Sequence, residues 1–204
     1  MTPARTAAMA VLVTAALAGQ PEYKSWPLSQ APEALRSTIS RADVIVVAIQ
    51  DAVLKELNDA LARRSTTSGS AFCHVDVTAI IQRVSREDGI TAGRTSDRLR
   101  NPANAPKAWA APFVQAHAGR PAKSVDGFAV DLGDTLGVLR PIVEQPMCGG
   151  CHGRPEQMSP GVKLLLQERY PLDHAIGFRD GEIRGWFWVE LPKRSSSVRS
   201  RGAK

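Results

Sequence analysis

Apolar residues recur at three- and four-residue intervals through Leu35, Ile39, Ala42, Val46, Ile49, Val53, Leu57 and Ala60. That is the repeat of one helical face, and it predicts a helix over 32–64, with Pro32 and Glu33 suited to its first turn. A Ser/Thr/Gly break follows. A second helix is expected over 70–86, where Cys73, Val77, Ile80 and Val84 form an apolar stripe. Beyond it the pattern shortens. Residues 90–96, 128–130, 136–143 and 183–191 read as strands, and 108–117 and 162–169 as short helices. Gly133 and Asp134 join the middle two strands, and Asp180-Gly181 turns the chain into the last one. In that last strand Trp186 and Trp188 share one face, and Phe187 takes the other. The expected class is α+β, with helices early and a small antiparallel sheet late.

The first residues carry a different pattern. Arg5 is the only charge ahead of the apolar run 7–18, which is 12 residues long. That length suits the apolar region of a secretory signal better than a membrane span. Ala16-Leu17-Ala18 places small residues at the positions a signal peptidase reads. The expectation is a signal peptide over 1–18, cleavage before Gly19, and an extended lead-in over 19–29. A periplasmic location follows, with no stable membrane insertion after cleavage. The next most apolar segment, 44–49, is six residues long between Asp43 and Asp51.

Charge changes the picture little. The net charge of +6 could suggest a nucleic-acid partner, but it is concentrated at one end. The segment 192–204 holds Lys193, Arg194, Arg199, Arg201 and Lys204 and no acid, which leaves the rest near +1. The tail reads as a basic, solvated end, and no nucleic-acid partner is expected. The 43% hydrophobic content suits a folded core, here taken as one domain over 30–191.

The chemistry lies in Cys148-Gly149-Gly150-Cys151-His152, a C-x-x-C-H sequence. Two thiols at this spacing add across the two vinyl groups of one haem. The next residue then lies beneath the iron, where its imidazole coordinates. Gly149 and Gly150 remove side chains that would obstruct the approach. A zinc site would need two further ligands at recognisable spacing, and His74, His117 and His174 are scattered. A thioredoxin-type pair would open a long helix, which Gly153, Pro155 and Pro160 oppose. A disulfide between the two cysteines is sterically poor without a special turn. One covalent haem c, ligated by His152, is the expected cofactor.

Candidates for the second axial position are Cys73, His74, Met147, Met158, His117 and His174. Met147 is too constrained by its neighbour to swing over the far face. Helical phase turns Cys73 inward with Val77, and His74 outward with Thr78 and Ser85. Phase alone leaves open whether Cys73 is a ligand or only a small buried hydrophobe.

Several short segments carry a family resemblance. They are Ala71-Phe72-Cys73, Gly93-Arg94-Thr95-Ser96, 100–106 with Trp109, 146–153, 170–175 with Gly177, and 181–185. Together and in this order, the chain resembles the periplasmic c-type haem domains with a PAS-like fold, long catalogued as a domain of unknown function. The resemblance implies a PAS-like antiparallel sheet with a helical N-terminal extension, one haem, and Cys73 as the second axial ligand. Family members often carry an acid after the tryptophan, where this chain has Ala110.

Guanidinium groups bind carboxylates in a fork, so Arg94 and Arg184 are the candidates for the haem propionates. Arg98 and Arg100 read as ordinary ion-pair arginines, Asn101 and Asn104 as turn formers, and Asp173-His174 as a helix-turn feature. Two functions are compatible with this reading. One is a redox or small-ligand sensor module that needs a separate signalling protein. The other is a single-haem electron carrier with a redox partner. No distal acid–base residue points to an enzyme.

Overall fold

In the computed structural model the described residues are 23–63, 77–86 and 90–193. Five strands, β1 (Ser25–Pro27), β2 (Thr91–Thr95), β3 (Phe128–Asp131), β4 (Thr135–Val143) and β5 (Ile183–Pro192), form one antiparallel sheet in the order β1-β3-β4-β5-β2. β3 and β4 make a hairpin whose turn passes through Gly133, at φ 90°. That backbone region is open to glycine at little cost. β4 and β5 form the long central pair, from Thr135↔Pro192 to Val143↔Ile183, with an irregularity in register at Ile142/Val143.

Period-two alternation splits β5 between two cores. Phe187, Val189 and Leu191 face helix α1 (Arg36–Arg63), together with Leu136 and Val138 of β4. Ile39, Ala42, Val46 and Ile49 supply the helix side of this core, as the apolar repeat predicts. Helix α2 (Val77–Val84) adds Val77 and Ile81. Full burial of a side chain such as Ile49 contributes about 1.5–3 kcal/mol. On the opposite face Trp186 and Trp188 pack with Trp109, Val114 of α3 (Ala111–Ala116), Val130 and Leu139. Glu190 lies on that face, where it accepts hydrogen bonds from Trp109 Nε1 (2.6 Å), Lys107 Nζ (2.8 Å) and Thr91 Oγ1 (3.0 Å).

Two boundaries differ from the sequence reading. The long helix begins at Arg36, because Glu33–Leu35 form a 3-10 turn first. The 19–29 lead-in contributes an edge strand, since Ser25 and Pro27 pair with Val130 and Phe128. Three residues ending in proline carry no strand pattern of their own, so this pairing comes only from the tertiary neighbour. The second helix is described from Val77 onward, and Cys73 and His74 lie outside the described residues. So do the expected signal segment, up to residue 22, and the basic tail from residue 194. No helix among the described residues is long and apolar enough to cross a membrane.

At one end of the sheet, β4 runs directly into a 3-10 turn, Pro146–Cys148, and then helix α4 (Gly149–His152). Gly153 ends α4, as the glycine and prolines of this segment suggest, and α5 (Pro160–Arg169) starts afresh from an Ser159 cap. The cysteine motif thus sits on a short helical turn at a strand end.

Gly93 of β2 stands opposite Trp188 of β5, and a Cβ on Gly93 would fall inside the space of the indole. Gly93→Ala is expected to displace Trp188 and cost roughly 1–3 kcal/mol, by the usual price of overpacking. Urea unfolding of both proteins measures it, and an unchanged midpoint would contradict the packing described.

Candidate cofactor site

A cavity of about 410 Å³ lies between α1, α2 and the end of the sheet. That volume is within the ordinary range for small-molecule sites. Val53 and Leu57 of α1 and Val77 of α2 give it an apolar wall. Thr95, Ile142 and Gly185 come from the strand ends, and Cys148, Cys151 and His152 from the motif turn. Arg94 and Arg184 are on the same lining; Cys73, the remaining expected site residue, lies outside the described residues.

His152 is held by its backbone and its ring. Its carbonyl accepts from Phe178 N (3.1 Å), and its Nδ1 lies 2.8 Å from Ala175 O. A carbonyl can only accept, so Nδ1 carries the proton and Nε2 the lone pair. Nε2 faces Arg184 Nη1 at 3.5 Å. Desolvation, then the positive charges of Arg184 and Arg100, hold this imidazole well below its usual pKa. It is therefore neutral near pH 7, with its lone pair available to an electrophile.

Arg100 locks the turn from outside. Its Nε meets Asp173 Oδ2 at 3.0 Å, and its Nη2 donates to Cys151 O (2.5 Å) and Ala175 O (3.3 Å). The other carboxylate oxygen of Asp173 accepts from Ala175 N at 2.8 Å. The carbonyl that orients His152 is thus itself fixed from both sides. The sequence reading placed Arg100 in an ion pair and Asp173 in a turn feature. Both hold, but their link to His152 was not legible, because the partners lie 51 to 75 residues away. Arg98 is likewise paired, with Glu182, and its guanidinium stacks 3.6 Å over Phe178. Asn101 caps its own turn by accepting from Ala103 N (3.0 Å).

Glu144 is the residue the sequence reading missed. Only 1% exposed, it lies 3.0 Å from Arg184 Nε through Oε2. The approach lacks hydrogen-bond alignment, and neither carboxylate oxygen has a hydrogen-bond partner among the described residues. Thr95 Oγ1, on the cavity lining, is also buried without one. Desolvation raises the Glu144 pKa to about 7, although Arg184 pulls it down. A sequence signal was present only as an acid four residues before Cys148.

The other axial candidates fall elsewhere. His117 packs between Phe128 and Trp186 on the opposite face, His174 is exposed, and Met158 is buried with Val162 and Leu166. Met147 lines the cavity beside Cys148.

The residues present fit a flat metal macrocycle. A neutral imidazole nitrogen points into a partly apolar cavity, and the guanidinium at 3.5 Å takes the place of an electrophile. Cys148 is a free thiol on the same lining. A Cβ on Gly149 or Gly150 would meet nothing within 4 Å, so the turn leaves room on its own side. No group of three or more His, Cys, Asp or Glu among the described residues forms a cage for a bare metal ion.

The Tll0287-like family matches residues 29–192. The chain belongs to the Tll0287-like family. The resemblance read from its motifs is borne out, and so is the PAS-like α+β arrangement. Among solved structures, the cyanobacterial heme-protein Tll0287 has a TM-score of 0.52 to this chain at 22% identity, covering 78% of this chain and 98% of that one. At such identity the likeness speaks for the fold. No curated protein matches the chain. The Tll0287-like match spans every described element of the cavity lining.

Glu144 sets a pH dependence of stability. A carboxyl whose folded pKa stands at about 7, against 4.5 ordinarily, keeps a proton that the unfolded chain has released. Stability therefore falls as pH rises from 4.5 to about 7, by about 3 kcal/mol, and levels off above. The lowered carboxylates Asp126, Asp131 and Glu190 act below this window. Glu144→Gln should flatten the decline in denaturant titrations, and a variant with the wild-type slope would show that another group is responsible.

Proposed function

We propose that the protein is an exported haem c-binding protein that serves as a redox or small-ligand sensor module. The observation that carries this is the convergence of Cys148, Cys151 and the His152 Nε2 lone pair on one cavity. The family's structural neighbour, itself a heme-protein, supports haem as the group. Cys148 and Cys151 would supply the two thioether sulfurs, and His152 Nε2 the axial nitrogen. Arg94 and Arg184, both on the lining, would meet the propionates. Haem bound here would supply a one-electron iron centre with a second ligand position.

Cys73 is the proposed occupant of that position. It precedes Val77 by four residues, and Val77 is buried on the cavity wall. Thr78, one turn after His74, is exposed but also on the lining, so the two neighbours need a direct test. A thiolate can be protonated or displaced, which is the physical basis of the sensor reading. A separate signalling protein would receive the signal. The electron-carrier reading draws on a different observation. Met147, on the lining next to Cys148, is 44% exposed, which brings the site's edge to the surface where a redox partner could reach it.

Intact-mass measurement of the protein purified from a periplasm with haem-attachment machinery checks attachment, stoichiometry and export together. The expected mass is that of the chain from Gly19 plus one haem. Cys148→Ala and Cys151→Ala should each weaken haem retention. An unmodified chain beginning at Met1 would overturn both the haem and the periplasmic readings.

Optical spectra check the second ligand. Cys73→Ala should keep the haem, lose the ferric low-spin spectrum and raise the potential, while His74→Ala does little. The opposite pattern would make the ligand set bis-histidine. Ready displacement by carbon monoxide in the reduced wild type favours sensing; resistance favours electron transfer.

A further inference from the structure

Glu144 and Arg184 form a charge pair on the Nε2 side of the His152 ring. Glu144 is fixed by its backbone, which donates from N to Glu182 O (2.9 Å) and accepts at O from Gly181 N (2.8 Å). Its side chain is thereby aimed inward, with Arg184 Nε at 3.0 Å from Oε2. The same guanidinium reaches His152 Nε2 through Nη1 at 3.5 Å. One rigid, always-charged group therefore touches both the carboxylate and the ligand nitrogen.

Three further charged groups act on Glu144 among the described residues. Asp180 and Glu182 face it from the turn before β5, and Arg100 from the segment after β2. Glu182 is engaged by Arg98 and by Arg179 N, and Arg100 by Asp173. Among the described residues, Arg184 is thus the one cation in ion-pair contact with the buried carboxylate. A carboxylate at 1% exposure, without hydrogen bonds, is stabilised in its charged form only by the positive field it feels. An oxidised metal centre held at Nε2 would add to that field, and a reduced one would add less.

We propose that Glu144 is a proton-binding site coupled to electron uptake at His152: as a one-electron donor delivers one electron, the carboxylate takes one proton from solvent water. The O–H bond formed at Glu144 offsets the positive charge lost at the site, and oxidation reverses both transfers. The inference rests on the haem c reading. It adds that this protein's response to a redox partner depends on pH through a side chain outside the ligand set.

The test is a potentiometric titration of holoprotein between pH 6 and 8, for wild type and Glu144→Gln. At fixed ambient potential the wild-type reduced-to-oxidised ratio should fall roughly threefold to tenfold over this range as pH rises. Glu144→Gln should remove most of that dependence. A flat wild type overturns the proposal, and so does a variant that keeps the slope, which would assign the proton to the propionates or the axial thiol. A second measurement does not depend on the variant folding. In the reduced-minus-oxidised infrared difference spectrum of wild type grown on 13C-carboxyl glutamate, a protonated carboxyl band should appear and carry the isotope shift. An unshifted band, or none, overturns the proposal. Absence of covalent haem in the intact mass would end the haem c reading itself, whereas attached haem with a pH-independent potential ends only this inference.

Discussion

The hydrogen bond from His152 Nδ1 to the Ala175 carbonyl sets the chemistry of the cavity. It fixes the tautomer, and the tautomer decides that the lone pair sits on Nε2, facing inward. Without it the imidazole could present either nitrogen, and the motif would be a flexible turn with a histidine at its end. The chain invests in this bond. Arg100 and Asp173 bracket the Ala175 carbonyl and amide, and Arg100 also grips Cys151 O, so the two ends of the bond belong to one network. Gly177 N to Gly153 O (2.8 Å) and Phe178 N to His152 O (3.1 Å) zip the same two segments further along. The support consists of backbone and ion-pair contacts, which tolerate little sliding.

The sheet explains why that network can be rigid. Two cores, one under α1 and one around Trp109 and Trp186, clamp β4 and β5 from both faces. The motif turn leaves the end of β4, and Arg184 stands near the start of β5. Neighbouring strands of a buried sheet cannot shift register without turning apolar side chains outward. Glu144 and Arg184 therefore inherit their separation from the strand pairing. Their charge pair is costly to bury and poorly hydrogen-bonded. It persists because the sheet places it there.

This division gives the site a stiff proximal wall and a helical wall of a different kind. The apolar lining from Val53, Leu57 and Val77 comes from α1 and α2; α1 is anchored in its first turns by the Asp43–Arg140 ion pair and by Thr38 Oγ1 donating to Lys193 O, whereas Val53 and Val77 lie beyond those anchors and pack by hydrophobic contact. Such contacts are non-directional and allow small adjustments. Under the proposed function, the ligand expected from the α2 side would be the more exchangeable of the two, and His152 the fixed one.

Local patterns in the chain determined the long helix, four of the five strands, the facing of Trp186 against Phe187, and the presence of a C-x-x-C-H turn. Each of these depends on neighbours within a few residues, so periodicity and spacing reveal it. Arg94 and Arg184, candidates for the haem propionates from guanidinium chemistry, stand on the same cavity lining as the motif. The edge strand Ser25–Pro27, the Arg100–Asp173 lock and the buried Glu144 were decided only by tertiary structure. Edge pairing borrows its hydrogen bonds from β3. The lock joins residues more than 50 positions apart. Glu144 looks like any surface acid in the sequence, and only the strand end that buries it, with Arg184 as its neighbour, changes its charge state. A side chain's ionisation depends on what surrounds it in space, and composition and spacing carry no record of that.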